Sequence, residues 1–163
     1  MEFEIGQKAV FPAHGVGLIR AIRPGSYLGV DDDKSFYEIK ILHDGSTIYQ
    51  NVERALAEGM RKIIPEDAVE RVLEVLRDRS TPADKQTWNR RYREYTQKIR
   101  TGDPLEVAAV LRDLALLKSE KTLSFGERKM FDKAFELVTQ ELAVAKDSDE
   151  DSIKALLEEI FTS

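Results

Sequence analysis

"SFYEIKILHDGSTIYQNV", residues 35–52, alternates apolar and polar positions, so that Tyr37, Ile39 and Ile41 fall on one face of an extended chain. The "HDGS" that follows carries an Asp-Gly turn signal, and "TIYQNV" resumes the pattern, which predicts a strand, a tight turn and a second strand. Working outward, "KAVF" (8–11) and "GVGLIRAI" (15–22) add further short strands. Glycines at 6, 15, 17, 25, 29, 45 and 59 punctuate the runs between them. Four or five short strands joined by hairpins predict a small twisted barrel of the SH3 or Tudor kind. Such a barrel encloses little chemistry; its functional assets are grooves and strand edges.

From Pro65 onward only Gly102 and Gly126 remain, and the apolar period changes from 2 to 3.6. Val69, Val72, Leu73 and Leu76 form a first helical stripe, with Glu66 and Asp67 at its start, Arg77 and Arg79 at its end and a stop before Pro82. A second helix is expected from about Lys85 to Arg100, ended by Gly102. Asp103-Pro104 opens a third, through Leu105, Ala108, Leu111 and Leu114. "SFGE", residues 124–127, is a capping box that opens a fourth through Met130, Ala134, Leu137, Val138 and Leu142. A last short helix carries Ile153, Leu156, Leu157, Ile160 and Phe161. The expected fold class is α+β: a Tudor/SH3-like β-barrel over residues 1–64, then an all-helical domain of about five helices over 65–163.

A chain of 163 residues with 42% hydrophobic and 34% charged residues has the balance of a soluble globular protein. No apolar run approaches the roughly 20 residues that span a bilayer, and "MEFEIGQKAV" lacks the layout of a secretory signal, so a cytoplasmic protein with no membrane partner is expected. Zero cysteines exclude a disulfide framework, a thiolate zinc site and a cysteine nucleophile together. The net charge of −5 disfavours coating of nucleic acid through the overall field. Its distribution is uneven: residues 85–133 hold 12 Lys and Arg against 7 Asp and Glu, a net of +5, while 134–163 hold 2 against 8, a net of −6. A basic block inside an acidic protein binds an anion weakly unless something else brings the two together.

Candidates for catalysis are few, and no enzyme or cofactor is expected. His14 and His43 both flank strands, with no partner at ligand spacing. "GVGLI" lacks the third glycine of a dinucleotide fingerprint and leads into a strand, not a helix. Asp31, Asp32 and Asp33 read as a solvated hairpin cluster. Asp147, Asp149, Asp151 and Glu158 occupy positions 1, 3, 5 and 12 of a calcium-binding loop, but Ser152 stands where that loop requires glycine. The stripe from Ile153 to Phe161 also needs the helix to be running already at Ile153, which places the acids at its N-terminus.

The single tryptophan lies in "TWNRRYREYTQKIR", residues 87–100. Trp88, Tyr92, Tyr95 and Ile99 recur at i, i+4, i+7 and i+11, one helical face, which favours packing on neighbouring helices. Against that, Trp88 falls in the first turn, and Asn89, Arg90, Arg91 and Arg93 crowd it, as suits an aromatic presented to a nucleic-acid backbone. Periodicity leaves both readings open.

"GQKAVFPAHGVGLI", "WNRRYREY", "KIRTGDPLEVAAVLRDL" and "LSFGERKM", in that order over nearly the whole chain, resemble the CarD/CdnL family of bacterial RNA-polymerase-binding transcription regulators. The resemblance implies a Tudor-like N-terminal module that docks on the RNA polymerase β subunit, and a helical domain that touches promoter DNA at the upstream edge of the bubble and stabilises the open complex. It implies that Trp88 wedges into the minor groove and that Arg90, Arg91, Arg93, Arg128 and Lys129 face the DNA backbone. In the polymerase-contact region it singles out Ile48, Tyr49, Gln50 and Val52. Family members usually carry a proline near the end of the segment matching "TIYQNVERALAEGMRKI", and this chain has none between Pro24 and Pro65. A basic residue of the β contact in some members falls near Gly25, and another at Tyr49 or Gln50. The expected protein is a monomer brought to the nucleoid by RNA polymerase. The alternative is an adaptor whose basic helical block binds an acidic protein surface and never meets DNA.

Overall fold

A computed structural model of the chain describes residues 2–80 and 86–162. It contains two compact units, Met1–Ile63 and Ile64–Ser163. Pro82 and Lys85 themselves lie outside the described residues; the first helix ends at Arg77, short of Pro82, and the second begins at Trp88, three residues later than expected. Among the described residues no helix is long and apolar enough to cross a membrane.

The first unit is a five-stranded antiparallel sheet of β1 (Lys8–Phe11), β2 (Gly15–Pro24), β3 (Ser35–Ile41), β4 (Thr47–Asn51) and β5 (Arg61–Lys62). Its order is β4-β3-β2-β1-β5, so β4 and β5 are the edges. Four strands fall where alternation predicts them. The fifth, β5, is two residues long and too short to show a period. Tyr37, Ile39 and Ile41 are all buried, in a core completed by Phe3, Ala9, Ile19, Ala55 and Met60. Full burial of each large apolar side chain stabilises by roughly 1.5–3 kcal/mol. Tyr37 also satisfies its hydroxyl there, accepting the Phe3 backbone N–H at 3.3 Å. Gly17 keeps β2 and β3 close, because a Cβ at that position would stand 2.5 Å from the Ile39 Cγ2 atom. The register shifts between Ile19 and Ala21, a bulge that leaves Arg20 as the extra residue.

The second unit is helical: α1 (Val69–Arg77), α2 (Trp88–Thr101), α3 (Pro104–Glu120), α4 (Phe125–Ala145) and α5 (Glu150–Thr162). Val69, Val72, Leu73 and Leu76 of α1 are buried together with Ala108, Leu111 and Leu114 of α3. Leu105, Met130, Leu137, Leu156 and Phe161 sit half-buried at the borders of their stripes. Helix ends follow the local chemistry. Gly102 adopts φ 72°, a left-handed conformation that closes α2, and Asp103 caps α3 by accepting the Leu105 N–H at 2.9 Å. Ser124 accepts the Glu127 N–H at 3.2 Å while Glu127 accepts the Ser124 N–H at 2.9 Å, completing the capping box of α4. At α5, Ser152 lies inside the helix, Asp149 accepts its N–H at 2.6 Å, and Ile153 is buried. A calcium loop has no room to form around a residue already in helical conformation. Among the described residues no group of three potential metal ligands is gathered anywhere.

Candidate functional site

Trp88 is the first residue of α2, and Thr87 before it makes no side-chain cap bond. The indole is half-buried. Tyr92 meets it edge-on at 5.8 Å and Tyr95 at 6.5 Å between ring centroids. The aromatic stripe therefore divides along its length: Tyr95 and Ile99 are buried, Tyr92 is 51% exposed, and Trp88 stands between these conditions.

The start of α4 meets this end of α2. Gly126 approaches Trp88 so closely that a Cβ there would stand 2.8 Å from the indole Nε1. Across the same junction Arg91 donates from Nη2 to Glu127 Oε2 at 2.8 Å, and Lys121 Nζ lies 3.0 Å from Glu127 Oε1. Burial alone would raise the Glu127 carboxyl. The Ser124 N–H, Arg91, Lys121 and the Ser124 hydroxyl outweigh it and hold Glu127 at about 2.

Of the cations picked out as facing a DNA backbone, Arg90, Arg93, Arg128 and Lys129 are exposed. Arg90 lies 3.9 Å from Glu94 and Arg128 3.9 Å from Asp132, i,i+4 pairs in solvent that hold their partners only loosely. Arg91 departs from the expectation. Its side chain is only 8% exposed, locked on Glu127 and donating from Nε to the Gln86 carbonyl at 3.0 Å. Helical spacing is the reason: three residues past Trp88 and four before Tyr95, Arg91 shares their inward face.

Two exposed aromatics were not singled out from the sequence as contacts. Phe125, first residue of α4 and neighbour of Gly126, is 86% exposed, and Tyr92 flanks Trp88. The capping box was the available signal for Phe125, because it puts that residue at the first helical position, where a side chain finds little to cover it. Together the two helix starts offer Trp88, Tyr92 and Phe125 with four exposed cations. Aromatic faces among exposed positive charges suit a polyanion with stackable or unstackable rings.

A different patch lies on the sheet face opposite the core. Glu38 of β3, buried, accepts from Arg23 Nε at 3.3 Å and from the Tyr49 hydroxyl at 3.2 Å, with Arg20 Nε 3.6 Å away. Burial opposes ionisation of Glu38, but Arg23, Tyr49 and Arg20 hold its carboxyl below the usual range. Burial, Tyr27 and Glu38 together raise the Tyr49 phenol. Tyr27 and Tyr49 lie 6.1 Å apart, and the Arg23 guanidinium sits over the Tyr27 ring at 4.6 Å.

Of the four residues picked out for polymerase contact, Tyr49 alone turns an exposed side chain outward, at 38%. Ile48 and Val52 pack on the sheet's core, and the buried Gln50 donates to Glu58 at 2.6 Å. Strand alternation accounts for all three. What β4 does offer is its edge. Ser46 accepts from Ile41 and Val52 donates to Ser35, so the even-numbered backbone groups face β3 and those of Thr47 and Tyr49 turn away. Gly25 admits no side chain, because a Cβ would fall 1.8 Å from the Asp31 carbonyl oxygen.

Comparison with known proteins covers both units. Residues 3–64 match the CarD-like/TRCF RID domain, and residues 71–158 match the CarD, C-terminal domain. A protein of Bacillus subtilis (strain 168), "Putative transcription factor YdeB", is 33% identical over 157 residues, spanning 94% of this chain and 98% of that protein.

Proposed function

This chain belongs to the CarD family of transcription factors, with both characteristic domains in order, and we propose that it regulates transcription by docking on the RNA polymerase β subunit and stabilising the open promoter complex through Trp88. The family is not an enzyme class. Residues 1–64 serve as the docking domain and 65–163 as the DNA-contacting domain. The observation that carries this reading is the junction of α2 and α4, where Trp88, Tyr92 and Phe125 stand among Arg90, Arg93, Arg128 and Lys129.

An aromatic wedge must overcome base unstacking, on the order of a few kcal/mol per step, unless the step is already distorted. At the upstream edge of a transcription bubble it is distorted, so the wedge favours the open state. A ligand shifts an equilibrium by its differential affinity for the two states, and about 1.4 kcal/mol of preference changes the open-to-closed ratio tenfold. The net charge of −5 keeps the chain off bulk DNA. Docking through the first domain restores a high effective concentration at the promoter. The β4 edge supports docking by strand addition, in which Thr47 and Tyr49 supply backbone groups and the Tyr27–Tyr49 pair supplies aromatic area.

The test is the lifetime of open complexes formed by the organism's own polymerase, alone, with this protein and with Trp88→Ala. A lengthened lifetime that disappears in the variant, with polymerase binding intact, supports the proposal. Unchanged lifetime with confirmed polymerase binding overturns the DNA role.

A further inference from the structure

We infer that Arg91, Glu127 and Gly126 form a clamp that fixes the Trp88 ring in its presented pose, so that Arg91 acts through the tryptophan and never touches DNA itself. The inference deepens the proposed wedge role of Trp88 and rests on it for its functional half.

Arg91 is tied at three points. Its Nε is held by the Gln86 carbonyl at the entrance of α2, its Nη2 by Glu127 at the entrance of α4, and its guanidinium carbon lies 5.1 Å from the centre of the Trp88 ring. Its Nη1 is buried with no hydrogen-bond partner among the described residues. Chosen for stability alone, this arrangement would be a poor one, since buried ion pairs are commonly replaced by apolar residues without loss. An unpartnered N–H adds to the cost. What the pair does provide is fixed geometry between two helix ends, with Trp88 against it.

Glu127 cannot drift, because its carboxylate is shared among Arg91, Lys121 and the Ser124 N–H. Gly126 supplies the other boundary. It carries no left-handed φ that would demand glycine, yet a Cβ there would lie 2.8, 3.2 and 3.3 Å from three atoms of the indole. The absence of a side chain at 126 is thus explained by the ring it faces. A ring held before binding avoids the ordering cost of one side chain, which corresponds to roughly 2- to 12-fold in the stability of the complex it joins.

Trp88 is the sole tryptophan, so its fluorescence reports the clamp directly. The full-length protein is compared with Arg91→Met, Arg91→Lys and Gly126→Ala by acrylamide quenching and anisotropy of Trp88, and by open-complex lifetime over a series of salt concentrations. Gly126→Ala leaves every charge in place and favours the helix, so it keeps the test alive if Arg91→Met does not fold. The clamp predicts greater quenching and lower anisotropy in Arg91→Met and Gly126→Ala, partial recovery in Arg91→Lys, a lifetime shortened within the 2- to 12-fold range, and an unchanged salt slope in all three. Unaltered quenching in both Arg91→Met and Gly126→Ala overturns the clamp, as does a salt slope reduced by about 1 in Arg91→Met, the mark of a lost phosphate contact. If Trp88→Ala itself leaves lifetime unchanged, the DNA reading fails, while quenching still decides the clamp.

Discussion

The two surface patches are built from the same materials and use them oppositely. On the sheet, Arg20, Arg23 and the Tyr49 hydroxyl converge on one buried carboxylate, Glu38, beside the exposed rings of Tyr27 and Tyr49. At the helix junction one arginine, Arg91, is drawn inward by Glu127, and Arg90, Arg93, Arg128 and Lys129 stay in solvent. The first patch is aromatic with its cations internally neutralised, a surface suited to a protein partner, where tyrosine and arginine dominate affinity. The second is aromatic with its cations exposed and, where paired, held only loosely in solvent, a surface suited to a phosphate backbone. Whether a buried acid neutralises the outward arginines or a single inward one separates the two.

The sharpest way to break this contrast is to remove the acid. Glu127→Ala leaves Arg91 buried without its partner and is expected to destabilise the helical unit by about 3–5 kcal/mol, read by urea unfolding. Arg20 and Arg23 retain access to water, so Glu38→Ala should cost the sheet much less. The two also differ in acid. A carboxyl held at about 2 instead of its ordinary 4.5 contributes roughly 3 kcal/mol that is fully present above about pH 4.5 and is lost as pH falls toward 2. Glu127→Gln should flatten that part of the stability profile.

Next in size are the aromatics. Trp88→Ala should return open-complex lifetime to its value without the protein. Phe125→Ala should shorten it by an amount corresponding to about 1–3 kcal/mol while changing unfolding free energy by less than about 0.5 kcal/mol, because an 86% exposed ring packs on almost nothing. Tyr49→Ala should weaken binding to RNA polymerase about tenfold and leave lifetime at saturating protein unchanged. A change in lifetime at saturation would mean that the two patches do not divide the work as their charges imply.

Much of the architecture was legible because it is written in short-range pattern. Tyr37, Ile39 and Ile41 announced the core face of β3, Gly102 and Asp103-Pro104 the break between α2 and α3, and "SFGE" the start of α4. What stayed hidden depends on partners far along the chain. Three near-consecutive arginines look alike until Glu127, 36 residues beyond Arg91, selects one of them. Gln50 looked available in its strand until Glu58 took its amide. Helical spacing from Trp88 did contain the inward direction of Arg91, but spacing carries no information on whether a charge waits at the end of it. For the residues expected to face DNA, the family resemblance indicated the neighbourhood and tertiary pairing sorted its members.

The smallest expected effect tests the loosely paired cations themselves. Arg90 and Arg128 each stand 3.9 Å from an acid one turn away, with both partners of each pair solvent-exposed. Such pairs contribute about 0–1 kcal/mol, so either arginine can exchange its carboxylate for a phosphate at little cost. Each phosphate neutralised releases condensed counterions, and the logarithm of open-complex stability falls with the logarithm of salt concentration in proportion to the number of contacts. Arg90→Ala and Arg128→Ala should each reduce that slope by about 1 and shorten the lifetime only modestly near physiological salt. Neither should alter thermal stability measurably. An unchanged slope in both would show that these two cations serve their own helices, i to i+4, and would leave Arg93 and Lys129 as the cations able to meet a phosphate.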